Sequence, residues 1–263
     1  MARPVVAPGF IRRLAGTPLA PNNGQDQMPS RGGRFVVRGG RRLRGEIRVS
    51  GAKNAALPMM TSALLTREPV ILEGVPDIED VHTQAALLRS LGATVEWEPA
   101  AHRMTIVADT LTSAALPTAL AQSVRTSFLC LGPLLARTGT AALSRPGGCN
   151  IGERPVNVDV RGLAAMGAEI IQQDGAYIAQ ARGLQSAAIY LDYPSVTGTE
   201  NLMMAACLAE GTTVIKHAAC EPEVVALAEH LTRMGAMIHG AGTPKIEVLG
   251  RESLYSARSR VIP

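Results

Sequence analysis

Apolar positions recur along this chain in two alternating rhythms, and each change of rhythm falls on a glycine. The segments "LLRSLGATVEW", "GLAAMGAEIIQ" and "LTRMGAMIHGAG" each close a helical period with Gly-Ala and then open a strand. Their glycines are Gly92, Gly167 and Gly235. Glycine just past a helix takes a left-handed conformation at little cost, so each segment reads as a C-cap running into a strand. Ahead of each lies a second, more apolar helix: "AALPMMTSALLT", "SFLCLGPLLAR" and "ENLMMAACLAEG". Short strands follow these helices at "EPVILEGVP", "GTAALSRPGG" and "GTTVIKHAACEP".

The pattern therefore predicts three copies of a β-α-β-α-β-β unit, a repeat that must stack to bury its faces. The helices "LPMMTSALL" and "NLMMAACLA" are apolar on nearly every side, which places them inside, with the sheets outside. Their methionines read as core filler. In "ATVEWEPAAHRMTIVA" two strands flank a turn near Glu98-Pro99-Ala100. The result is a mixed α/β domain with pseudo-threefold repetition over residues 53–257.

Composition narrows the function classes. The 263 residues are 46% hydrophobic but only 3% aromatic, so a full core is available while base-stacking platforms are not. The net charge of +4 is unevenly spread: residues 1–48 carry ten arginines against Asp26 and Glu46. That basic excess belongs to the start of the chain and does not describe a nucleic-acid face. No apolar run reaches the length of a membrane span. Cys130, Cys149, Cys207 and Cys220 form no CxxC pair and suggest neither zinc nor a disulfide framework, which fits a reduced, cytoplasmic protein. No metal or cofactor is expected.

Residues 1–33, rich in Pro, Gly and Arg, lack the apolar core of a signal peptide and are expected to be a disordered or over-called leader. Met28 is the expected true start. Strand-like alternation begins at "RFVVRGG", giving a strand region over 34–52.

Three helix entrances carry the candidate chemistry. "VSGAKNAALP" puts Lys53 and Asn54 at the first, "SVRTSFLCLGP" puts Arg125 at the second, and "YPSVTGTENLMM" puts Ser195, Val196 and Thr197 at the third. Helix N-terminal amides beside an ammonium or a hydroxyl bind anions. The GxxxxGK[ST] spacing of a Walker loop is absent. If the repeat is real, the three entrances converge on one face and suit a multiply phosphorylated ligand. Between the strand "GTAALS" and the next helix lies "SRPGGCNIGERPVNVD", in which Arg145 and Arg154 flank Cys149 and favour its thiolate. Its glycines mark a mobile loop.

Taken together, "SGAKNAALP", "LGPLLARTG", "PGGCNIGERPV", "SVTGTENLMMAA" and "GTTVI…AACEPEV" resemble the UDP-N-acetylglucosamine 1-carboxyvinyltransferase family over residues 34–263. The resemblance implies an enolpyruvyl-transferase-like inside-out α/β barrel. It also implies transfer of enolpyruvate from phosphoenolpyruvate to the 3′-hydroxyl of UDP-N-acetylglucosamine with loss of phosphate, the first committed step of peptidoglycan synthesis. On that likeness Cys149 is the acid and the fosfomycin target. Lys53, Arg125 and Arg154 hold phosphoenolpyruvate, and Asn54 meets the aminosugar. Arg154, Pro155, Val156, Asn157 and Val158 meet uridine; Ser195, Val196 and Thr197 meet the diphosphate.

Two residues depart from the family: Asn157 stands where aspartate is usual, and Asp159 where histidine is common. Family members also carry a second, similar domain that supplies a catalytic aspartate and further arginines. Residues 258–263 are thus expected to begin a linker, residues 34–52 to pair with that second domain, and the chain alone to be inactive. The alternative is a non-catalytic UDP-sugar-binding or orphan fragment. The sister enzymes making enolpyruvylshikimate phosphate open with a Gly-Ser-Lys-Ser type motif and lack the PGGC loop.

Overall fold

The computed structural model describes residues 36–147, 156–173 and 175–263. The chain divides into two units, Met1–Val49 and Ser50–Pro263. In the first, residues 36–49 form neither helix nor strand and expose Val37, Leu43, Ile47 and Val49. The leader expected over 1–33, Met28 included, lies outside the described residues.

The second unit repeats the α-β-α-β-β part of the expected order three times, and the opening strand stands in sequence only in the third copy. The first copy holds α1 (Lys53–Ser62), β1 (Val70–Glu73), α2 (Glu79–Ser90), β2 (Thr94–Glu98) and β3 (Arg103–Val107). The second begins with α3 (Thr118–Ser123). A 3-10 stretch, Arg125–Cys130, then leads into α4 (Leu131–Thr138), β4 (Thr140–Ser144), α5 (Asn157–Ala165), β5 (Glu169–Gln173) and β6 (Ala176–Gln180). The third holds β7 (Ala188–Tyr190), α6 (Val196–Ala206), β8 (Thr212–Lys216), α7 (Pro222–Arg233), β9 (Met237–His239) and β10 (Lys245–Leu249). A last strand, β11 (Ala257–Arg260), ends the order. Among the described residues no helix is long and apolar enough to cross a membrane.

Each copy makes its own sheet, in the orders β11-β1-β3-β2, β4-β6-β5 and β7-β8-β10-β9. Antiparallel pairs run through all three, and a parallel pair marks one edge: β11 beside β1, β7 beside β8, and a single bridge from Ala115 to Ala142 of β4. The C-caps repeat to the hydrogen bond. Gly92, Gly167 and Gly235 have φ of 105°, 91° and 98°. The next residues, Ala93, Ala168 and Ala236, donate back to Leu88, Leu163 and Leu231. This is the Gly-terminated helix end that the sequence predicts three times over.

The inner helices pack as their composition demands. α1 lies against α2 and α7, and α6 against α4, α5 and α7. Met59, Met60, Met203 and Met204 are buried filler, and Cys130 and Cys207 are packed thiols that burial pushes up to about 12.

Residues 36–52 form neither helix nor strand and pair with none of the described strands. One expectation is corrected: residues 258–260, expected to open a linker, belong to β11 and fill the first sheet. The reason is the free edge of β1, whose backbone groups need a parallel partner as β8 has in β7. Arg258 Nε donates to Glu73 Oε1 at 3.0 Å, and Val261 N donates to Glu73 O at 2.8 Å. The entry to α1 is sealed in the same place. Ala52 N donates to Ile262 O at 2.6 Å, and Gly51 sits where any Cβ would be 2.2 Å from Gly74 O.

Candidate functional site

The first entrance is open to solvent. Lys53 is the first residue of α1, and its ammonium lies 2.6 Å from Asp80 Oδ2 in the first turn of α2, with both side chains partly exposed. Asn54 Nδ2 donates to Glu223 Oε1 at 3.2 Å, reaching the first turn of α7. Neither helix start uses a side-chain cap: Ala52 precedes α1 and Glu221 precedes α7.

The third entrance is closed and polar. Ser195 caps α6, its Oγ accepting from Gly198 N at 3.1 Å, while Val196 and Thr197 are half-buried. Immediately inside, Glu200 and Asn201 are fully enclosed. The Asn201 carboxamide is a junction. Its Oδ1 accepts from Gly132 N at 2.8 Å, and its Nδ2 donates to Phe128 O at 3.3 Å and to Asp159 Oδ1 at 2.8 Å. It thereby ties α6 to α5 and to the stretch that begins with Arg125.

Burial dominates the acid–base behaviour here. Desolvation pushes Asp159 up to about 6, opposed by the Asn201 hydrogen bond, by its own backbone and by the charge of Arg125. Glu200 is held well above the usual carboxylate range by desolvation first, then by the negative charges of Glu223, Asp159 and Glu221. One of its oxygens, Oε1, has no hydrogen-bond partner. Asp159 lies in the first turn of α5, where the backbone amides favour the anion, yet burial outweighs that help.

A third locality lies on the other side of α5. Asn157 Nδ2 lies 3.5 Å from Asp192 Oδ2, which also receives Arg161 Nη1 at 2.5 Å. An open cavity of about 350 Å³ is lined by Arg145, Pro146, Val156, Asn157, Val160, Gln172 and Tyr177. Asn157 and Val160 are three residues apart and share a helix face, whereas Val158 and Asp159 are buried towards the core.

The sequence-predicted residues thus fall into three groups. Lys53, Asn54, Arg125 and Ser195 to Thr197 stand at helix entrances: Lys53 pairs with Asp80 and Asn54 bonds to Glu223, while Glu200 feels the charges of Glu223 and Asp159, and Asp159 that of Arg125. Val156, Asn157 and Val158 begin α5, with Val156 and Asn157 lining the cavity beside that face. Cys149, Arg154 and Pro155 lie outside the described residues. Sequence reasoning missed Asp80, Glu200, Asn201 and Glu223. The available signal was "TEN" inside the otherwise apolar run of α6, because a charged and an amide residue in a buried helix must have partners.

The family model of EPSP synthase (3-phosphoshikimate 1-carboxyvinyltransferase) matches residues 37–263. Proteins named UDP-N-acetylglucosamine 1-carboxyvinyltransferase are similar: that of Acidobacterium capsulatum is 50% identical over 232 residues, 88% of this chain and 53% of its own length. That of Koribacter versatilis is 49% identical, covering 88% of this chain and 54% of its own length. This chain therefore spans about half the length of the curated relatives it matches. Among solved structures, the enolpyruvyl transferase NikO from Streptomyces tendae aligns with a TM-score of 0.76 at 26% identity, over 86% of this chain and 53% of its own. EPSP synthase from Acinetobacter baumannii aligns with a TM-score of 0.65 at 20% identity, over 82% of this chain and 49% of its own, a likeness of fold.

Proposed function

The chain belongs to the EPSP synthase (3-phosphoshikimate 1-carboxyvinyltransferase) family, and from that premise we propose that it is part of a cytoplasmic enolpyruvyl transferase acting on UDP-N-acetylglucosamine in peptidoglycan synthesis. The observation that carries the reading is the family match over residues 37–263, and it is supported by Lys53 and Asn54 at the start of α1, which reach the starts of α2 and α7. The name that these relatives carry supports the choice of sugar nucleotide over shikimate phosphate.

In this reading Lys53, Arg125 and Arg154 hold the phosphate and carboxylate of phosphoenolpyruvate, and fixed cations stabilise the charge that shifts during the reaction. Cys149 donates a proton to the methylene carbon while the sugar 3′-hydroxyl bonds to the neighbouring carbon. Loss of a methyl proton then expels phosphate and restores the enol ether. Asn54 meets the aminosugar, Arg154 to Val158 the uridine, and Ser195 to Thr197 the diphosphate. A second domain beyond this segment supplies the base for the sugar hydroxyl, with residues 34–52 pairing into it. Asn157, where the family favours aspartate, adjusts the uridine end, whereas Asp159, where histidine is common, is buried on Asn201.

The test is phosphate release by the full-length gene product given both substrates, with labelling of Cys149 by fosfomycin in the presence of UDP-N-acetylglucosamine. Release and labelling, both abolished in Cys149→Ala, are the expected outcome. Sugar-nucleotide binding with no phosphate release and no labelling overturns the transferase reading in favour of a non-catalytic UDP-sugar-binding protein.

A further inference from the structure

Lys53 and Thr126, the neighbour of Arg125, come from different repeats, yet both are tied to one helix, α2. Asp80, in its first turn, pairs with Lys53 at 2.6 Å. Gln84, one turn further on the same face, is completely buried. Its Oε1 accepts from Thr126 Oγ1 at 3.0 Å, and its Nε2 donates to Thr61 Oγ1 at 2.9 Å. Thr126 is the residue after Arg125. Thr61 lies on α1, the helix that starts at Lys53, and its hydroxyl donates on to Leu57 O at 2.8 Å.

A fully enclosed position facing Thr61 and Cys130 is one that leucine or methionine fills without needing partners. Gln84 requires partners on both ends of its amide, and it finds them on the two segments that carry the cations. Thr126 is only half-buried, so its hydroxyl could be satisfied by water. The bond to Gln84 therefore selects the orientation of the 3-10 start at 125–126 beyond what satisfying the hydroxyl requires.

We propose that α2 is a strut between the first two repeats and that Gln84 is a positioning residue for phosphoenolpyruvate. It fixes the turn that aims Arg125 at a set distance from Lys53, which Asp80 holds. This inference rests on the enolpyruvyl-transfer reading above.

The experiment compares Gln84→Met, Thr126→Val and Thr126→Ser in the full-length gene product by steady-state kinetics, with thermal melts as a check on folding. Gln84→Met and Thr126→Val are expected to raise KM for phosphoenolpyruvate about tenfold, with kcat and KM for UDP-N-acetylglucosamine little changed. Thr126→Ser, which keeps the hydroxyl, is expected to match wild type. A folded Thr126→Val enzyme with an unchanged KM for phosphoenolpyruvate, or with both KM values raised equally, overturns the inference.

Wild-type protein that releases no phosphate fails the underlying reading instead, and the strut is then decided by side-chain ¹⁵N NMR. Thr126→Val must shift or broaden the Arg125 Nε signal while leaving Lys53 Nζ in place, and Asp80→Asn must do the reverse. Signals that do not move in either variant overturn it.

Discussion

The entrances to α1 and α6 occupy equivalent places in two repeats, and they are built on opposite principles. At α1 the polar groups face water: Lys53 pairs with Asp80 across partly exposed side chains, and the helix is anchored by backbone, Ala52 N to Ile262 O. At α6 the polar groups face inward: Ser195 caps the helix with its side chain, and Glu200 and Asn201 are enclosed. A common topology thus fixes where the helices start but not where their charge sits. The open entrance leaves its cation exposed to solvent, whereas the closed one uses polar groups to lock three segments together.

The largest effect should come from the closed side. Asn201→Ala strands Gly132 N and removes the Asn201 partner of the Asp159 carboxyl in the interior at once, while Phe128 O keeps the Leu131 N–H. Unmade buried hydrogen bonds beside an ionisable group cost about 3–5 kcal/mol. Chemical denaturation should show that loss with little change in slope. A loss under 1 kcal/mol would mean that water enters freely at α6, and the contrast between the two entrances would disappear.

Next in size is a pH effect with two opposed limbs. Asp159, raised to about 6 by burial, binds a proton in the folded state that the unfolded chain has released. Its contribution to stability is therefore present near pH 4 and falls as pH rises to about 6. His230, fully buried with Nδ1 2.7 Å from Ser259 Oγ of β11, is lowered to about 4 by desolvation, with help from the charge of Arg233. The unfolded chain protonates first, so the His230 contribution is present above pH 6.5 and is lost as pH falls to about 4. Each limb is about 3 kcal/mol by the size of its shift, and between pH 4 and 6 they cancel. Glu200 adds to the Asp159 limb. Asp159→Asn, which can still accept from Asn201, should stabilise the protein at pH 7 by about 2 kcal/mol and expose the acid-side loss due to His230. A pH–stability curve unchanged by Asp159→Asn would place Asp159 in solvent.

A smaller change should follow from the cap. Ser195→Ala removes the acceptor for Gly198 N and should cost about 1 kcal/mol, read as a lower melting temperature. The equivalent residue at α1 is already alanine, so the size of this loss measures how far the two helix starts differ in their dependence on side chains.

What the sequence made legible follows the same division. The C-cap glycines, the buried methionines and the packed thiols of Cys130 and Cys207 were readable because local chemistry dictates them. Lys53, Arg125 and Ser195 were readable as helix-entrance residues because each sits where apolar periodicity begins. Their pairing was not. Asp80 reaches Lys53 from 27 residues away and Glu223 reaches Asn54 from 169 away, distances over which no local pattern speaks. The closing strand was misjudged for a related reason. "SARSR" has little strand character of its own and becomes β11 only because β1 offers it an edge.

The smallest expected effect on stability belongs to Asp80→Asn, and it tests the open side of the comparison. The Lys53 and Asp80 side chains are 49% and 37% exposed, so water already solvates much of the charge that the pair would share. Exposed ion pairs contribute less than about 1 kcal/mol, and salt screens most of it. Asp80→Asn should therefore shift the melting temperature by no more than a degree or two, and raising ionic strength should erase even that difference. A loss as large as that of Asn201→Ala would mean that Lys53 is a structural cation, held too firmly by Asp80 to turn towards a phosphate. A near-silent melt, together with a moved Lys53 signal, would leave the ammonium free to exchange a carboxylate for an incoming anion.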